Sequence, residues 1–224
     1  RDWSSDVCSS DLTGFVGRSV CEKLVERHGG AGRGIVVPTR RLGHGRHLQM
    51  LPGLQLVEAD IHNDAQLARL VAGCDAVVNL VAVLQGDERR FRHVHVELPR
   101  RIAAACRSAG VKRLVHVSAL GVAEDAPSQY LRSKAQGEKM LREAGLDLTI
   151  LRPSLIFGAH DRLLNLFAAM QAVAPLVPLA GADSRYQPVW VDDVARAVVR
   201  CLDDATTIGQ TYECAGRSEE HTSE

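Results

Sequence analysis

Residues 13–20 read TGFVGRSV and place two glycines, Gly14 and Gly17, where a loop passes into a segment of helical apolar spacing. Glycine lets a backbone approach a pyrophosphate closely, and a helix N-terminus offers free N–H groups and the positive end of a dipole. The stretch therefore predicts a dinucleotide phosphate loop in which Gly14, Phe15, Val16 and Gly17 contact the cofactor. Two glycines also occur in ordinary turns, so the prediction depends on the elements that follow.

Those elements alternate between strand and helix. Apolar, β-branched segments predict buried parallel strands, and apolar residues at helical spacing predict the helices between them. The predicted strands are Ile35–Val37, Leu54–Val57, Ala76–Val83, Leu114–Ser118 and Leu148–Leu151, and the predicted helices are Val16–His28, Asp64–Ala72, Leu98–Ala109, Ser133–Ala144, 163–173 and Asp193–Leu202. This order is typical of an α/β fold, a Rossmann doubly wound parallel sheet with helices on both faces and strand order 3-2-1-4-5-6.

The two ends of the chain do not fit this pattern. Back-translation of Asp2–Leu12 (DWSSDVCSSDL) allows a DNA sequence whose reverse complement encodes RSEEHTSE, the last eight residues. We therefore expect residues 1–12 and 217–224 to be adapter-derived, and the native first strand to be missing or replaced by the short segment VCSS. Asp11 then stands where the first glycine of the loop belongs. Residues 13–154 are predicted to form the NAD(P)-binding domain, and residues 155–216 the last Rossmann elements and a partial smaller C-terminal region.

The composition between those ends limits the possible partners. These 204 residues carry 25 basic and 21 acidic side chains without a run of like charge, so we expect no nucleic-acid partner. No apolar run reaches the ~18 residues of a membrane span, so we expect no transmembrane segment. The remaining cysteines are scattered, which favours reduced thiols in the cytoplasm over disulfides or a metal site. They are Cys21, Cys74, Cys106, Cys201 and Cys214.

The residues after the second and third predicted strands bear on the cofactor. NAD sites usually place an acid after the second strand for the ribose 2′-hydroxyl, whereas NADP sites place a cation there for the 2′-phosphate. Arg40 and Arg41 occupy this position, which favours NADP(H) over NAD(H), although solvated loop arginines would look the same. After the third strand, Asp60 is predicted to accept from the adenine amine and Ile61 to cover the ring; a helix-flanking turn is the alternative.

Asn79 interrupts the apolar fourth strand, where it can satisfy buried backbone. The residues after it, Leu80, Val81 and Ala82, are then predicted to line the cofactor ribose. Proline cannot donate to a strand ladder, so Pro153 marks the exit of the last predicted strand, and we expect its ring to lie by the nicotinamide.

Two further interpretations concern polar residues in the second half of the chain. Asp192 and Asp193 precede the last predicted helix, and one of them is predicted to be its N-cap. His93 and His95 alternate as they would on a strand, which predicts surface positions for both.

Ser118, Tyr130 and Lys134 form the most specific candidate set. Ser118 ends a predicted strand, and Tyr130 and Lys134 lie four residues apart in YLRSK, on one helical face. A lysine beside a tyrosine is expected to lower the pKa of the phenol, and a serine can hold a carbonyl or hydroxyl, which makes a proton relay for hydride transfer at a carbinol carbon. The alternative is that these three residues only contact the cofactor.

Together the segments TGFVGR, PTRR, EADI, NLVA, VHVSALG, YLRSKAQGE, TILRPSLIFG and VWVDDVA resemble the extended and atypical short-chain dehydrogenases/reductases, which are NAD-dependent epimerase/dehydratase-like. Within that group they are similar to the family of nucleotide-binding accessory subunits of respiratory complex I (alpha-subcomplex subunit nine) and their bacterial relatives, over Thr13–Gly216. The resemblance implies bound NADP(H), a membrane respiratory or quinone-biosynthetic complex as partner, and a cytoplasmic position peripheral to the inner membrane. The cofactor contacts that it implies are Gly14, Gly17, Arg40, Asp60, Ser118, Tyr130, Lys134 and Pro153.

Two functions therefore stay open. The first is a binding subunit that holds NADP(H) for structure and docks on a quinone-reducing complex. The second is an NADP-dependent reductase, dehydrogenase or epimerase in which Tyr130 donates the proton, Lys134 tunes it and Ser118 orients the substrate. The interval from Ser118 to Tyr130 contains AEDAPS and is short, which leaves little room for a sugar nucleotide and favours the binding role.

Overall fold

The computed structural model describes residues 7–10, 14–27, 34–159 and 187–216. Asp11 and the helix predicted over residues 163–173 lie outside the described residues.

Seven of the nine described strands form one parallel sheet, which confirms the predicted parallel arrangement. They are β1 Val7–Ser10, β2 Ile35–Thr39, β3 Leu54–Glu58, β4 Ala76–Asn79, β5 Arg113–Val117, β6 Asp147–Pro153 and β9 Thr211–Cys214. Their spatial order is β3-β2-β1-β4-β5-β6-β9, which confirms the predicted doubly wound order and adds β9 at one edge. The other two strands, β7 Ile156–Phe157 and β8 Val189–Trp190, pair with each other in parallel.

The segment VCSS takes the central place in the sheet. Val7 pairs with Ile35 of β2 on one side and with Ala76 of β4 on the other, both in parallel register. The fold therefore has a first strand in the position from which a Rossmann phosphate loop starts, although only four residues form it.

The described helices lie between the strands, and all but α3 lie where apolar spacing predicted a helix. They are α1 Phe15–Arg27, α2 Asp64–Val71, α3 Glu88–Arg92, α4 Leu98–Ala109, α5 Gln129–Arg142 and α6 Val191–Asp203. A π-helical turn, His93–Glu97, joins α3 to α4. Within the described ranges, no helix is long and apolar enough to cross a bilayer.

Two apolar clusters, one on each face of the sheet, confirm that helices cover both faces. Val20 and Leu24 of α1 pack with Val198 of α6 against one face. Leu67 of α2 and Leu98 of α4 pack against the other face, together with α5. Neighbouring residues of the central strands point to opposite clusters, as a strand buried on both faces requires.

Strand β4 is shorter than predicted and ends at Asn79 instead of Val83. The backbone N–H groups of Val81 and Val83 do not continue the strand ladder, because they donate to Asn79 Oδ1 and His95 Nε2. Helix α5 instead begins four residues earlier than predicted, at Gln129, because Ser128 caps it by accepting from the Leu131 N–H.

Two predictions about polar residues were wrong. His93 and His95 lie on the π-helical turn and not on a strand. His93 is exposed, as predicted, but His95 is buried with 3% of its surface exposed. Neither Asp192 nor Asp193 caps α6, because that helix begins at Val191 with Trp190 as its N-cap. Both acids lie in its first turn, where they face the positive end of the helix dipole.

Arg113 of β5 is buried and joins the sheet to α6. Its guanidinium donates to Thr149 Oγ1 at 2.7 Å, to Thr207 Oγ1 at 3.0 Å and to the carbonyl of Cys201. A buried guanidinium needs partners for its donors, and here residues far apart in the chain supply them. This network fixes α6 against β5 and β6 at the amino edge of the sheet, where both strands begin.

Candidate functional site

The N-terminus of α1 supplies the phosphate-binding end of the site. The first turn of this helix reads FVGR and carries no acidic side chain, Gly14 accepts from the Arg18 N–H at 3.0 Å, and Gly17 is buried. A helix N-terminus without a carboxylate leaves its N–H groups and dipole available to an anion. The residues present here therefore fit the pyrophosphate of a dinucleotide.

The segment after β7 comes close to the start of α1. A Cβ at Gly158 would lie 3.1 Å from Cε2 of Phe15 and 2.7 Å from Cγ1 of Val191, so glycine is what allows this approach. Nearby, Pro153 is the last residue of β6, as predicted, and its carbonyl accepts from the Leu120 N–H at 2.8 Å. The exits of β5 and β6 are thus tied together at this edge of the sheet.

Thr39 shapes the exit of β2. Its hydroxyl donates to the carbonyl of Arg41 at 3.0 Å, and Arg40 and Arg41 are both exposed just beyond the strand. The register of the sheet also aligns Glu58, the last residue of β3, with Thr39. Arg40 and Arg41 therefore follow a strand end that has Glu58 beside it, and the sequence of β2 alone does not show this acid.

Asp60 and Ile61 follow β3 in a turn. The Asp60 carboxylate accepts from the His62 N–H at 2.9 Å, which is the turn-forming role given above as the alternative to adenine recognition. Asp60 remains exposed, and Ile61 packs on the cluster between the sheet and α2. His62 stacks on His93, with ring centroids 4.1 Å apart.

Asn79 organises the loop Leu80–Val83, which leaves β4. Its Oδ1 accepts from the Val81 N–H at 3.1 Å, and its Nδ2 donates to His116 Nδ1 at 3.1 Å. This confirms that Asn79 satisfies buried backbone. Burial, and then the charge of Lys134, lowers the pKa of His116 to about 3, so this imidazole is a neutral acceptor.

Tyr130 and Lys134 lie on one face of α5, as their spacing predicted. The Lys134 ammonium donates to the carbonyl of Val117 at 3.3 Å and lies 5.7 Å from the centroid of the Tyr130 ring. Burial lowers the pKa of Lys134 to about 8, although the nearby Glu138 carboxylate raises it. Lys134 therefore places a buried cation beside the last residue of β5.

The phenol does not show the lowered pKa that Lys134 was expected to produce. Burial raises the pKa of Tyr130 to about 12. Its ring is enclosed by Phe91 and His95, whose centroids lie 6.2 and 5.4 Å from its own. The desolvation of the phenolate outweighs the ammonium, so the pKa of Tyr130 lies above its ordinary value and not below it.

Glu138 follows Lys134 by one helical turn and is fully buried. It accepts two hydrogen bonds from Arg152, at 3.0 and 2.7 Å, and one from Arg142 at 2.8 Å. Burial by itself raises the pKa of this carboxyl, but the hydrogen bonds from Arg152 and Arg142 and the adjacent Ser118 hydroxyl lower it overall. The carboxylate is therefore ionised and joins the exit of β6 to α5.

Ser118 lies next to this buried carboxylate. Its side chain helps to lower the pKa of Glu138, yet its Oγ is buried and has no hydrogen bond of normal geometry to any described residue. The backbone N–H of Ser118 donates to the carbonyl of Leu151 at 2.7 Å. The Ser118 hydroxyl is thus enclosed beside the carboxylate that joins β6 to α5.

Comparison with known proteins agrees with this geometry. A family described as NAD(P)H-binding matches residues 13–205, which is most of the chain. The chain belongs to this NAD(P)H-binding family.

Individual curated proteins are similar to most of this chain. The chain is 36% identical over 212 residues to the mouse NADH dehydrogenase [ubiquinone] 1 alpha subcomplex subunit 9, mitochondrial, with 91% of this chain and 55% of that protein covered. It is 31% identical over 208 residues to the NADH-ubiquinone oxidoreductase 40 kDa subunit of Neurospora crassa, covering 91% and 54%. A 2-alkyl-3-oxoalkanoate reductase of Shewanella oneidensis is 26% identical over 235 residues, covering 92% and 58%. The chain thus spans little more than half the length of these relatives.

Solved structures show the fold. A dTDP-glucose 4,6-dehydratase from Streptomyces venezuelae with NAD bound superposes with a TM-score of 0.81 at 23% identity, covering 94% of this chain and 76% of that one. A UDP-glucuronic acid 4-epimerase from Bacillus cereus with NAD gives 0.82 at 19%, covering 95% and 78%. These likenesses confirm the predicted Rossmann class.

The structure brings most of the predicted site residues to the carboxyl edge of one sheet. It places there the start of α1, the arginines after β2, the loop after β4, Lys134 behind β5 and Pro153. The sequence did not predict the burial of three polar residues near this edge, His95, His116 and Glu138. Only Glu138 left a local signal, because its position four residues after Lys134 places it on the same helical face.

Proposed function

We propose that this protein is an NADP(H)-binding accessory subunit of a respiratory quinone reductase and holds its dinucleotide as a fixed part of its structure. The burial of Ser118 carries this proposal. A proton relay needs a hydroxyl that reaches the reacting carbonyl, and the Ser118 Oγ is enclosed beside Glu138. The similarity to two complex I subunits from different kingdoms supports the choice of partner.

Several residues suit the holding of a dinucleotide. The α1 N-terminus would take the pyrophosphate, and Arg40 and Arg41 the 2′-phosphate of NADP(H). The Lys134 ammonium suits hydroxyls of the nicotinamide ribose, with Leu80–Ala82 beside it. Asp60, Ile61 and Pro153 remain proposed contacts to adenine and nicotinamide. We place the protein in the cytoplasm, peripheral to the inner membrane, where a quinone-reducing or quinone-biosynthetic complex would bind it.

An NADP-dependent reductase is the second candidate, because Tyr130 and Lys134 retain the arrangement of an acid and its neighbouring cation. In that function Tyr130 donates a proton to the substrate carbonyl, and Lys134 stabilises the tyrosinate that forms. Reduced nicotinamide supplies the hydride when bound. The 2-alkyl-3-oxoalkanoate reductase and the ceramide reductase of Caulobacter vibrioides are relatives whose names describe such chemistry.

One experiment separates the two functions. The full-length protein is purified, its bound dinucleotide is identified, and NADPH oxidation is followed against quinones and small ketones. We expect NADPH to co-purify, to remain unoxidised with every acceptor, and to raise the melting temperature. Turnover that is present in the wild type and abolished in Tyr130→Phe would overturn the structural role and establish the reductase.

A further inference from the structure

We propose that His95 is a positioning residue of the dinucleotide site, because its imidazole joins the loop that leaves β4 to the helix that carries Tyr130 and Lys134. The inference rests on the proposed binding of a dinucleotide along the carboxyl edge of the sheet. It adds a residue that neither the phosphate loop nor the Tyr130–Lys134 pair includes.

Both ring nitrogens of His95 have a hydrogen-bond partner. Nε2 accepts from the Val83 N–H at 3.2 Å, and Nδ1 lies 2.8 Å from Ser133 Oγ. A backbone N–H only donates, so Nε2 carries no proton and Nδ1 must carry one. The Nδ1–H group therefore donates to Ser133, whose hydroxyl donates in turn to the Tyr130 carbonyl at 2.8 Å.

The surroundings keep this chain of hydrogen bonds intact. Burial, and then the charge of Lys134, lowers the pKa of His95 to about 3, so the ring stays neutral and Nε2 remains an acceptor at physiological pH. The ring stacks on Phe91 with centroids 5.6 Å apart and meets the Tyr130 ring edge-on at 5.4 Å. Aromatic contacts on two sides thus hold the imidazole in one orientation.

The backbone of His95 is fixed as firmly as its side chain. The residue lies on the π-helical turn, and its carbonyl faces α5 at Gly137, where a Cβ would come within 2.0 Å of it. π-Helical turns widen the helix by one residue and occur often at functional sites. Here the turn presents the imidazole to α5 and to the loop Leu80–Val83 together.

The loop after β4 consequently has two tethers. Asn79 holds the Val81 N–H, and His95 holds the Val83 N–H, one on each side of Ala82. The Asn79 tether is local, whereas the His95 tether connects the loop to the helix of Tyr130 and Lys134. We infer that this connection sets the distance between the ribose-lining loop and the buried ammonium.

Two substitutions separate the two hydrogen bonds of the imidazole. His95→Gln places an amide oxygen near the position of Nε2 and can keep the Val83 bond, whereas His95→Asn places an amide nitrogen near the position of Nδ1 and can keep only the Ser133 bond. In the full-length protein, we expect the Kd for NADPH to stay within about threefold of the wild type in His95→Gln and to rise by about tenfold in His95→Asn.

Hydrogen exchange gives a readout that general destabilisation would not reproduce. The Val83 amide is expected to exchange faster in His95→Asn than in His95→Gln, while amides of the β5 core exchange alike in both. Equal NADPH affinity in the two variants, or equal protection of Val83, would overturn the inference. A wild type that binds no dinucleotide would instead overturn the proposed function.

The tautomer can be measured without any variant. Nitrogen NMR of the imidazole in the wild type should show the Nδ1–H form and no titration between about pH 5 and about pH 9. An Nε2–H tautomer cannot accept from Val83, so its observation would exclude the proposed role even if both variants failed to fold.

Discussion

Gly137 of α5 passes the carbonyl of His95 so closely that a Cβ at position 137 would lie 2.0 Å from that oxygen. The obstacle is backbone, which cannot rotate away as a side chain can. A glycine in the middle of a helix costs stability by itself, so its presence here reflects the close approach of α5 to the π-helical turn.

Gly137→Ala is therefore expected to destabilise the protein, because α5 must move away from the turn to admit the methyl group. Overpacking of this kind costs about 1–3 kcal/mol, and a backbone obstacle favours the upper end. Chemical denaturation measures the change. Gly43→Ala is the matched control, because a Cβ there meets nothing within 4 Å, and equal stability of the two variants would contradict the prediction.

Lys134→Met is expected to stabilise the fold while it weakens dinucleotide binding. Burial lowers the pKa of Lys134 to about 8, so the unfolded chain, with a lysine pKa of about 10.4, binds this proton more tightly. The folded state is thus penalised at neutral pH, and stability from this group rises between about pH 8 and about pH 10.

The free energy of unfolding at pH 7 should increase by about 1–3 kcal/mol in Lys134→Met, and its rise with alkaline pH should disappear. The Kd for NADPH should increase in the same variant. Lys139→Met on the exposed side of α5 serves as control. A variant that is both less stable and unchanged in affinity would show that the ammonium has no functional role.

Glu138→Gln is expected to cost about 2 kcal/mol of stability at pH 7, since it leaves Arg152 and Arg142 without their carboxylate. The hydrogen bonds that hold the folded pKa of Glu138 below its usual range stabilise the protein above the unfolded pKa. This contribution is lost as the pH falls through the lowered folded pKa, so the difference between wild type and variant should shrink towards acid pH. Denaturation of both across this range, with the exposed Glu143→Gln as control, tests the prediction; a constant difference would refute it.

Arg40→Ala is expected to lower the preference for NADPH over NADH by about tenfold, because a charge-assisted hydrogen bond to the 2′-phosphate is lost. Glu58→Gln should act in the opposite direction, since it removes an acid that the sheet aligns with Thr39. Titration of both cofactors gives the ratio, with exposed Arg46→Ala as control. An unchanged ratio in Arg40→Ala would exclude the 2′-phosphate assignment.

Cys8→Pro tests the central strand. Position 8 pairs with Val36 on one side and Val77 on the other, and proline removes the N–H that a central strand needs. We expect the variant to lose its cooperative thermal transition, whereas Cys8→Val, which keeps the N–H, should retain it. Identical melting curves would show that VCSS does not form the strand in solution.

The sequence by itself determined the class of fold and the path of the chain through it. Alternating apolar segments predicted the order of strands and helices, and Leu98–Ala109 has the predicted bounds because its apolar spacing and Gly110 mark both the face and the end of that helix. The spacing of Tyr130 and Lys134 was readable for the same reason, since residues four apart share a helical face whatever surrounds them.

The tertiary structure alone decided which polar groups meet. The contacts of His95 with Ser133, of Asn79 with His116 and of Arg113 with Thr207 join residues 38, 37 and 94 positions apart, so no local period carries them. Burial raised the pKa of Tyr130 and enclosed Ser118, because desolvation depends on how the helices pack on the sheet. Local patterns thus predicted the elements that carry the candidate site, and packing set the protonation and contacts of its residues.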